Sequence, residues 1–192
     1  MLEEEYEPAR VRPFHLRRIE PPEAPFAYEI RPAAAKDLPA VRRIHDHYVT
    51  NTMVTLDTET RTLRAWRSLF AYVGRLGLPF LVAVSPAGEV LGYAMCEPWI
   101  QKRAYRFTAE ETIYLRPAST GKGLGRALLT ALIEAGRTAG LRQLLAVVAD
   151  SGAEPSLGLH RSLGFAETGR MGRVGFKFDR WIGTVMLQKS IR

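Results

Sequence analysis

Apolar positions along the chain repeat with two periods, and the switches between them outline the fold. Tyr28-Glu29-Ile30-Arg31 alternates apolar and polar side chains and predicts a short strand. Leu38, Val41, His45 and Tyr48 then recur at helical spacing, with Asp37 as the expected N-cap and Pro39 in the first turn. Leu63, Trp66, Phe70 and Val73 form a second apolar stripe, which predicts a helix from about Thr62 to Val73 with its aromatic residues in the core. Three strands follow, over Phe80–Val84, Glu89–Glu97 and roughly Arg106–Leu115. The turn Ser85-Pro86-Ala87-Gly88 joins the first two. Leu128, Leu132 and Ala135 mark the buried face of a helix over Arg126–Arg137, and Gly140 stops it. Leu144–Ala149 reads as a buried strand and Pro155–Leu163 as a short helix ended by Gly164. The pattern from Phe165 onward reads as strands, the last over Trp181–Gln188.

The order is strand, two helices, three strands, helix, strand, helix, strands: a mixed α/β domain around one sheet. Residues 1–27 stand apart. Five prolines interrupt them, and Arg10, Arg12, Arg17 and Arg18 lie among charges of both signs, so they read as a Pro/Arg-rich N-terminal extension ahead of a domain spanning 28–192. A length of 192 residues fits that division, and 46% apolar with 24% charged residues is ordinary for a folded chain.

Charge narrows the partners. Lys and Arg outnumber Asp and Glu by 27 to 20, a net +7 that favours an anionic ligand. No aromatic stacking motif or long basic run points to nucleic acid, so a small phosphate-bearing molecule is the expected ligand. No apolar run approaches the roughly 18 residues of a membrane helix, and the acidic start Met1-Leu2-Glu3-Glu4-Glu5 is not a signal peptide. The single cysteine, Cys96, excludes an intramolecular disulfide and fits a reducing compartment, the cytoplasm. Four histidines and one cysteine show no zinc spacing, so no metal is expected.

The most informative stretch runs from Ile113 to Leu129. A strand enters a loop with glycines at alternate positions, Gly121, Gly123 and Gly125, and a helix follows at once. Such glycines let backbone N–H groups converge on an anion, and the helix start adds unpaired N–H groups and partial positive charge. The expected ligand is a pyrophosphate, with Lys122 and Arg126 supplying full charges beside it. The spacing is neither that of a Walker A loop nor the Gly-x-Gly-x-x-Gly dinucleotide fingerprint.

At Thr120–Gly125 the sequence resembles the GNAT N-acetyltransferases, whose Gln/Arg-x-x-Gly-x-Gly/Ala loop binds the pyrophosphate of acetyl-CoA. Thr120 stands here in place of Gln or Arg. The match is closer to the phosphinothricin acetyltransferase subfamily and covers about residues 28–190. Its blocks include Ile30-Arg31-Pro32-Ala33, His47-Tyr48-Val49, Asp57-Thr58-Glu59, Ala104–Glu110, Leu159-His160-x-x-Leu163-Gly164-Phe165 and Gly175–Trp181. The resemblance implies a GNAT fold, with a mixed, mostly antiparallel central sheet flanked by helices. It also implies acetyl-CoA as cosubstrate, a small-molecule amine acceptor and a homodimer.

Site roles follow from the same resemblance. Glu110 is the implied general base, and apolar strand neighbours would raise its pKa. Glu111 competes for that role, since adjacent strand residues face opposite ways and only one is expected in the site. Backbone groups of Ile113, Tyr114 and Leu115 are implied to hold the pantetheine arm and supply an oxyanion donor, and Gly121, Lys122, Gly123, Leu124, Gly125 and Arg126 the diphosphate. Tyr114 either protonates the departing thiolate, binds substrate or is a core residue. His160 either orients substrate, assists proton transfer or packs. Lys102, Arg103 and Tyr105 are implied to hold the acidic end of an amino-acid substrate, or are solvated. A family Asn ahead of the second short helix is missing here, leaving Ser151 as its possible substitute. Lys177 and Trp181 read as structural.

The leading expectation is therefore direct acetyl transfer to the α-amine of a small amino acid such as phosphinothricin, methionine sulfoximine or methionine sulfone. Alternatives are another amine or peptide acceptor, with Met95, Cys96, Lys102 and Arg103 lining its pocket, or a non-catalytic acyl-CoA-binding module. DNA binding by the arm is the remaining one.

Overall fold

A computed structural model describes residues 26–192, so the expectations for residues 1–25 lie outside the described residues. The chain order is β1 (Glu29–Pro32), α1 (Leu38–Asn51), α2 (Leu63–Arg75), β2 (Phe80–Val84), β3 (Val90–Pro98), β4 (Thr108–Leu115), α3 (Leu124–Thr138), β5 (Gln143–Ala149), α4 (Glu154–Ser162), β6 (Ala166–Lys177) and β7 (Arg180–Ser190). The seven strands form one sheet in the order β1-β2-β3-β4-β5-β7-β6. Every neighbouring pair is antiparallel except β4 with β5. No helix among the described residues is long and apolar enough to cross a membrane.

Side-chain alternation sends each strand's residues to two separate cores. Ala94 and Cys96 of β3 join Leu128, Leu129 and Leu132 of α3 on one face. Tyr93 and Met95 join Leu38 and Val41 of α1 and Trp66 of α2 on the other. Phe26, two residues before the expected domain start, already packs against the α3 side.

Three local expectations need correction. Asp37 does not cap α1 with its side chain. Its carboxylate turns back to accept from the Ala34 N–H at 2.8 Å and from both ends of the Arg31 guanidinium at 2.7 and 2.9 Å. That charge-assisted fork outcompetes a cap on the following turn. Second, β4 starts at Thr108 rather than Arg106, because Arg103–Tyr105 forms a 3-10 turn and the Arg106 guanidinium then lies over the Phe107 ring at 4.2 Å. Third, α3 begins at Leu124, inside the glycine loop. Gly123 supplies a left-handed entry (φ +79°), from which the chain turns directly into the helix.

One irregularity of the sheet sets up the site. The β4–β5 ladder covers only Thr108, Ala109 and Glu110 against Gln143, Leu144 and Leu145. Beyond it β4 runs on to Leu115 while β5 stays with β7 as far as Ala149. The two parallel strands part and open a wedge in the middle of the sheet.

Candidate active site

A cavity of about 790 Å³ runs through this wedge. Its wall on the donor side is made by Ile113 and Leu115 of β4, Thr120 and Gly121 of the glycine loop, Ala146–Val148 of β5 and residues of α4. On the far side Glu97, Glu110 and Tyr114 meet the α1–α2 connection. A larger surface groove of about 980 Å³ beside β1 holds none of the expected site residues, and its Arg31 and Arg116 are paired with Asp37 and Glu89.

Hydrogen bonding fixes which way the β4 backbone faces. The Arg116 N–H donates to the Leu91 carbonyl at 2.7 Å, and the Trp99 N–H donates to the Thr108 carbonyl at 3.4 Å. In an antiparallel pair alternate residues exchange such bonds. The even-numbered residues of β4 therefore bond to β3, and Glu111, Ile113 and Leu115 turn their N–H and C=O groups toward the wedge. The Leu115 carbonyl accepts from the Tyr48 hydroxyl at 2.7 Å. The wedge thus presents both backbone groups of Ile113 and the N–H of Leu115, the edge an extended amide-bearing arm needs.

The glycines of the next loop serve two ends. Gly121 and Gly123 have φ of +73° and +79°, a conformation that side chains disfavour, and a Cβ at either would meet nothing within 4 Å. Gly125 is helical, and a Cβ there would press on the Leu159 and Leu115 side chains at 3.3 and 3.5 Å. No side chain caps α3 and its first turn holds no acidic residue, so its N–H groups and partial charge face the loop. Lys122, over the Phe26 ring at 4.9 Å, and Arg126, donating to the Ser162 hydroxyl at 2.9 Å, are both exposed beside it. These residues fit the diphosphate and pantetheine of acetyl-CoA.

Glu110 and Glu111 lie on opposite faces of β4, yet both border the cavity. The expectation of a single inward carboxylate fails because the wedge cuts the sheet and exposes both faces. Glu110 stands opposite Glu97 in the β3–β4 register. Burial, then the neighbouring charges of Glu97 and Glu111, push its carboxyl up to about 7. Glu111 is buried against His160, with Oε1 2.5 Å from Nε2. The other ring nitrogen, Nδ1, lies 2.7 Å from the Ser156 carbonyl, which can only accept, so Nδ1 carries a proton. Burial opposes charge on His160, but the Glu111 carboxylate more than offsets it and raises the imidazole pKa.

Tyr114 shares a face with Glu110 and is enclosed by rings of Tyr48, His45 and Tyr93 at 4.9, 5.5 and 5.8 Å, and burial raises its phenol. Lys102, Arg103 and Tyr105 are exposed on the 3-10 turn between β3 and β4 and are not brought to the cavity. Ser151 is also outside it, whereas Ser156 lines it. The pocket expected from Met95, Cys96, Lys102 and Arg103 does not form. Met95 borders the cavity, but alternation along β3 sends Cys96 into the α3-side core, where burial pushes its thiol up.

Two further charged groups of the cavity, Asp57 and Arg61, come from the α1–α2 connection. Asp57 accepts from His45 Nε2 at 3.2 Å and pairs with Arg61 at 3.8 Å, and the His45 bond holds its carboxyl below the usual range. Lys177 of β6 is buried and donates to the Thr55 carbonyl at 3.0 Å, tying this connection to the β6–β7 hairpin. Sequence reasoning missed Arg61, His45 and Glu97. Glu97 alone left a signal, as a carboxylate closing an apolar strand run. Among the described residues no cluster of side chains suits a metal ion.

Residues 41–165 match the model of the acetyltransferase (GNAT) family. The chain is 40% identical to a phosphinothricin N-acetyltransferase of Alcaligenes faecalis, over 86% of this chain and 83% of that protein. It is 41% identical to an L-methionine sulfoximine/L-methionine sulfone acetyltransferase of Pseudomonas aeruginosa, over 84% of this chain and 94% of that protein. A phosphinothricin acetyltransferase of Sinorhizobium meliloti, solved in complex with acetyl-CoA, superimposes with a TM-score of 0.80. That structure is 36% identical and matches 85% of this chain and 88% of its own.

Proposed function

The chain belongs to the GNAT acetyltransferase family, and from that premise we propose that it acetylates the α-amine of a small amino acid at the expense of acetyl-CoA. Phosphinothricin, methionine sulfoximine and methionine sulfone are the acceptors, as the names of its relatives suggest. The observation that carries the reading is the cavity itself. One end is an open strand edge beside a glycine-lined helix start, and the other end holds a carboxylate of pKa about 7.

In this reading acetyl-CoA supplies a thioester carbonyl. The Ile113 and Leu115 N–H groups hold its arm and stabilise charge on the carbonyl oxygen. Glu110 takes the ammonium proton, directly or through a water, with a pKa matched to neutral pH. The departing sulfur takes the second proton that the nitrogen loses as the tetrahedral intermediate collapses, while the buried His160–Glu111 pair braces the donor side of the cavity. Tyr114, wedged among aromatic rings, shapes the acceptor end. The enzyme works in the cytoplasm as a homodimer. Support for the dimer comes from the β6–β7 hairpin, where Met171, Val174, Phe176, Phe178 and Trp181 are each 45–59% exposed.

Thiol release from acetyl-CoA with a panel of amino acids tests the activity. Release is expected with methionine sulfone, methionine sulfoximine or phosphinothricin. Silence across the panel, with acetyl-CoA bound, would refute the acceptor class.

A further inference from the structure

The tip of the β6–β7 hairpin is patterned against its burial. Phe176 and Phe178 are 54% and 51% exposed, and the lysine between them, Lys177, is only 5% exposed. Sliding the strand by one residue would exchange its faces, hiding aromatic surface and returning the ammonium to water. The turn prevents that slip. Lys177 pairs with Arg180, and Phe178 and Asp179 between them have φ of +50° and +57°. Such angles belong to a tight two-residue hairpin turn, and phenylalanine rarely takes them. Hydrophobic burial does not account for the inward lysine, so the group it reaches supplies the reason.

Lys177 Nζ lies 5.1 Å from the centre of the Phe178 ring, and its one hydrogen bond among the described residues goes to the Thr55 carbonyl at 3.0 Å. Thr55 belongs to the connection over residues 52–62, which has no helix or strand of its own and closes the acceptor end of the cavity with Thr55, Asp57 and Arg61. Two side chains from other elements hold this connection. His45 of α1 meets Asp57 at 3.2 Å, and Lys177 meets Thr55. The anchors are joined, because the Thr55 hydroxyl accepts from the Asp57 N–H at 3.3 Å. Gly175 lets the hairpin come close, since a Cβ there would stand 2.8 Å from the Leu56 side chain. We propose that Lys177 is a positioning residue for acceptor binding. From outside the cavity it clamps the connection at Thr55 and so sets where Asp57 and Arg61 stand. The acceptor in this statement rests on the acetyl-transfer reading above; the clamp does not. A scaffold role alone is poorly served by a buried ammonium with one hydrogen bond, for which an apolar side chain would be the better core residue.

Lys177→Met keeps most of the apolar stem and removes the ammonium, and Lys177→Arg keeps the cation. With methionine sulfone as acceptor, Lys177→Met should raise the acceptor KM about tenfold or more, leave kcat and the KM for acetyl-CoA within about twofold, and hold or raise Tm. Lys177→Arg should recover part of the acceptor KM. An unchanged acceptor KM, an equal loss for both substrates with a lowered Tm, or an arginine variant no better than the methionine one would overturn the proposal. Amide hydrogen exchange on the protein without ligands separates the clamp from the reaction. Residues 53–61 should exchange about tenfold faster in Lys177→Met while α3 is unchanged. That result in a protein that acetylates none of the amino-acid panel would keep the clamp and remove the proposed function. Equal exchange over 53–61 would remove the clamp whatever the activity. Should Lys177→Met fail to fold, Lys177→Gln is read by the same two measurements.

Discussion

Glu110 is unusual because the fold keeps it near neutrality. Burial and the facing Glu97 raise its carboxyl from 4.5 to about 7. The folded chain therefore holds this proton more tightly than the unfolded chain does. Its contribution to stability is complete below the unfolded value and is withdrawn as pH rises through about 7. Glu110→Gln keeps the hydrogen-bonding shape without the ionisation. Its Tm should exceed that of the wild type at pH 8.5 and approach it at pH 5, measured by calorimetry; a lower Tm at pH 8.5 would contradict the assigned environment. Tyr93 gives a second case, since its hydroxyl is buried without a partner. Tyr93→Phe should hold or raise Tm by calorimetry, because the hydroxyl it removes is buried without a partner; a lower Tm would show that the hydroxyl is satisfied in the folded chain. The place of Glu110 at the cavity was legible in the sequence because a Tyr-x-x-Thr-x-Glu block surrounds it. Arg61 was not, because nothing in its local pattern shows that the α1–α2 connection folds over the cavity.

At the scale of elements, the site depends on two departures from regularity, the parting of β4 from β5 and the left-handed entry into α3. Gly123→Ala should strain that entry by about 1–2 kcal/mol and displace the amides beside it. The KM for acetyl-CoA should rise several-fold with the acceptor KM unchanged; an unaltered acetyl-CoA KM would remove the loop from donor binding. Periodicity placed the strands and helices because each presents one face to one core, as Leu63, Trp66 and Val73 do on α2. It could not place boundaries that tertiary contacts decide. Asp37 was drawn off its cap by Arg31, and α3 begins two residues early because Gly123 can turn the chain and Gly125 can pack on Leu159. The wedge had no signature at all, since a strand that loses its neighbour keeps the same alternation.

For the whole molecule, the exposed β6–β7 hairpin is the surface that the proposed homodimer would use, and it also reaches the site. Phe176 and Trp181 pack with ring centres 5.3 Å apart at a tilt and are more than half exposed, and the adjacent Lys177 reaches the Thr55 carbonyl of the α1–α2 connection. Light scattering should give a dimer for the wild type and a monomer for Trp181→Asp; a wild-type monomer would remove the hairpin as an interface. The central claim is that amides on the β4 edge and glycine loop hold the thioester beside Glu110, which takes the amine proton. The pH dependence of kcat/KM for methionine sulfone, in the wild type and in Glu110→Gln, tests it most directly. The wild-type profile should rise with pH through an inflection near 7, and Glu110→Gln should lose that inflection and about 10²-fold or more of the rate. A Glu110→Gln enzyme with wild-type turnover and the same inflection would contradict the account.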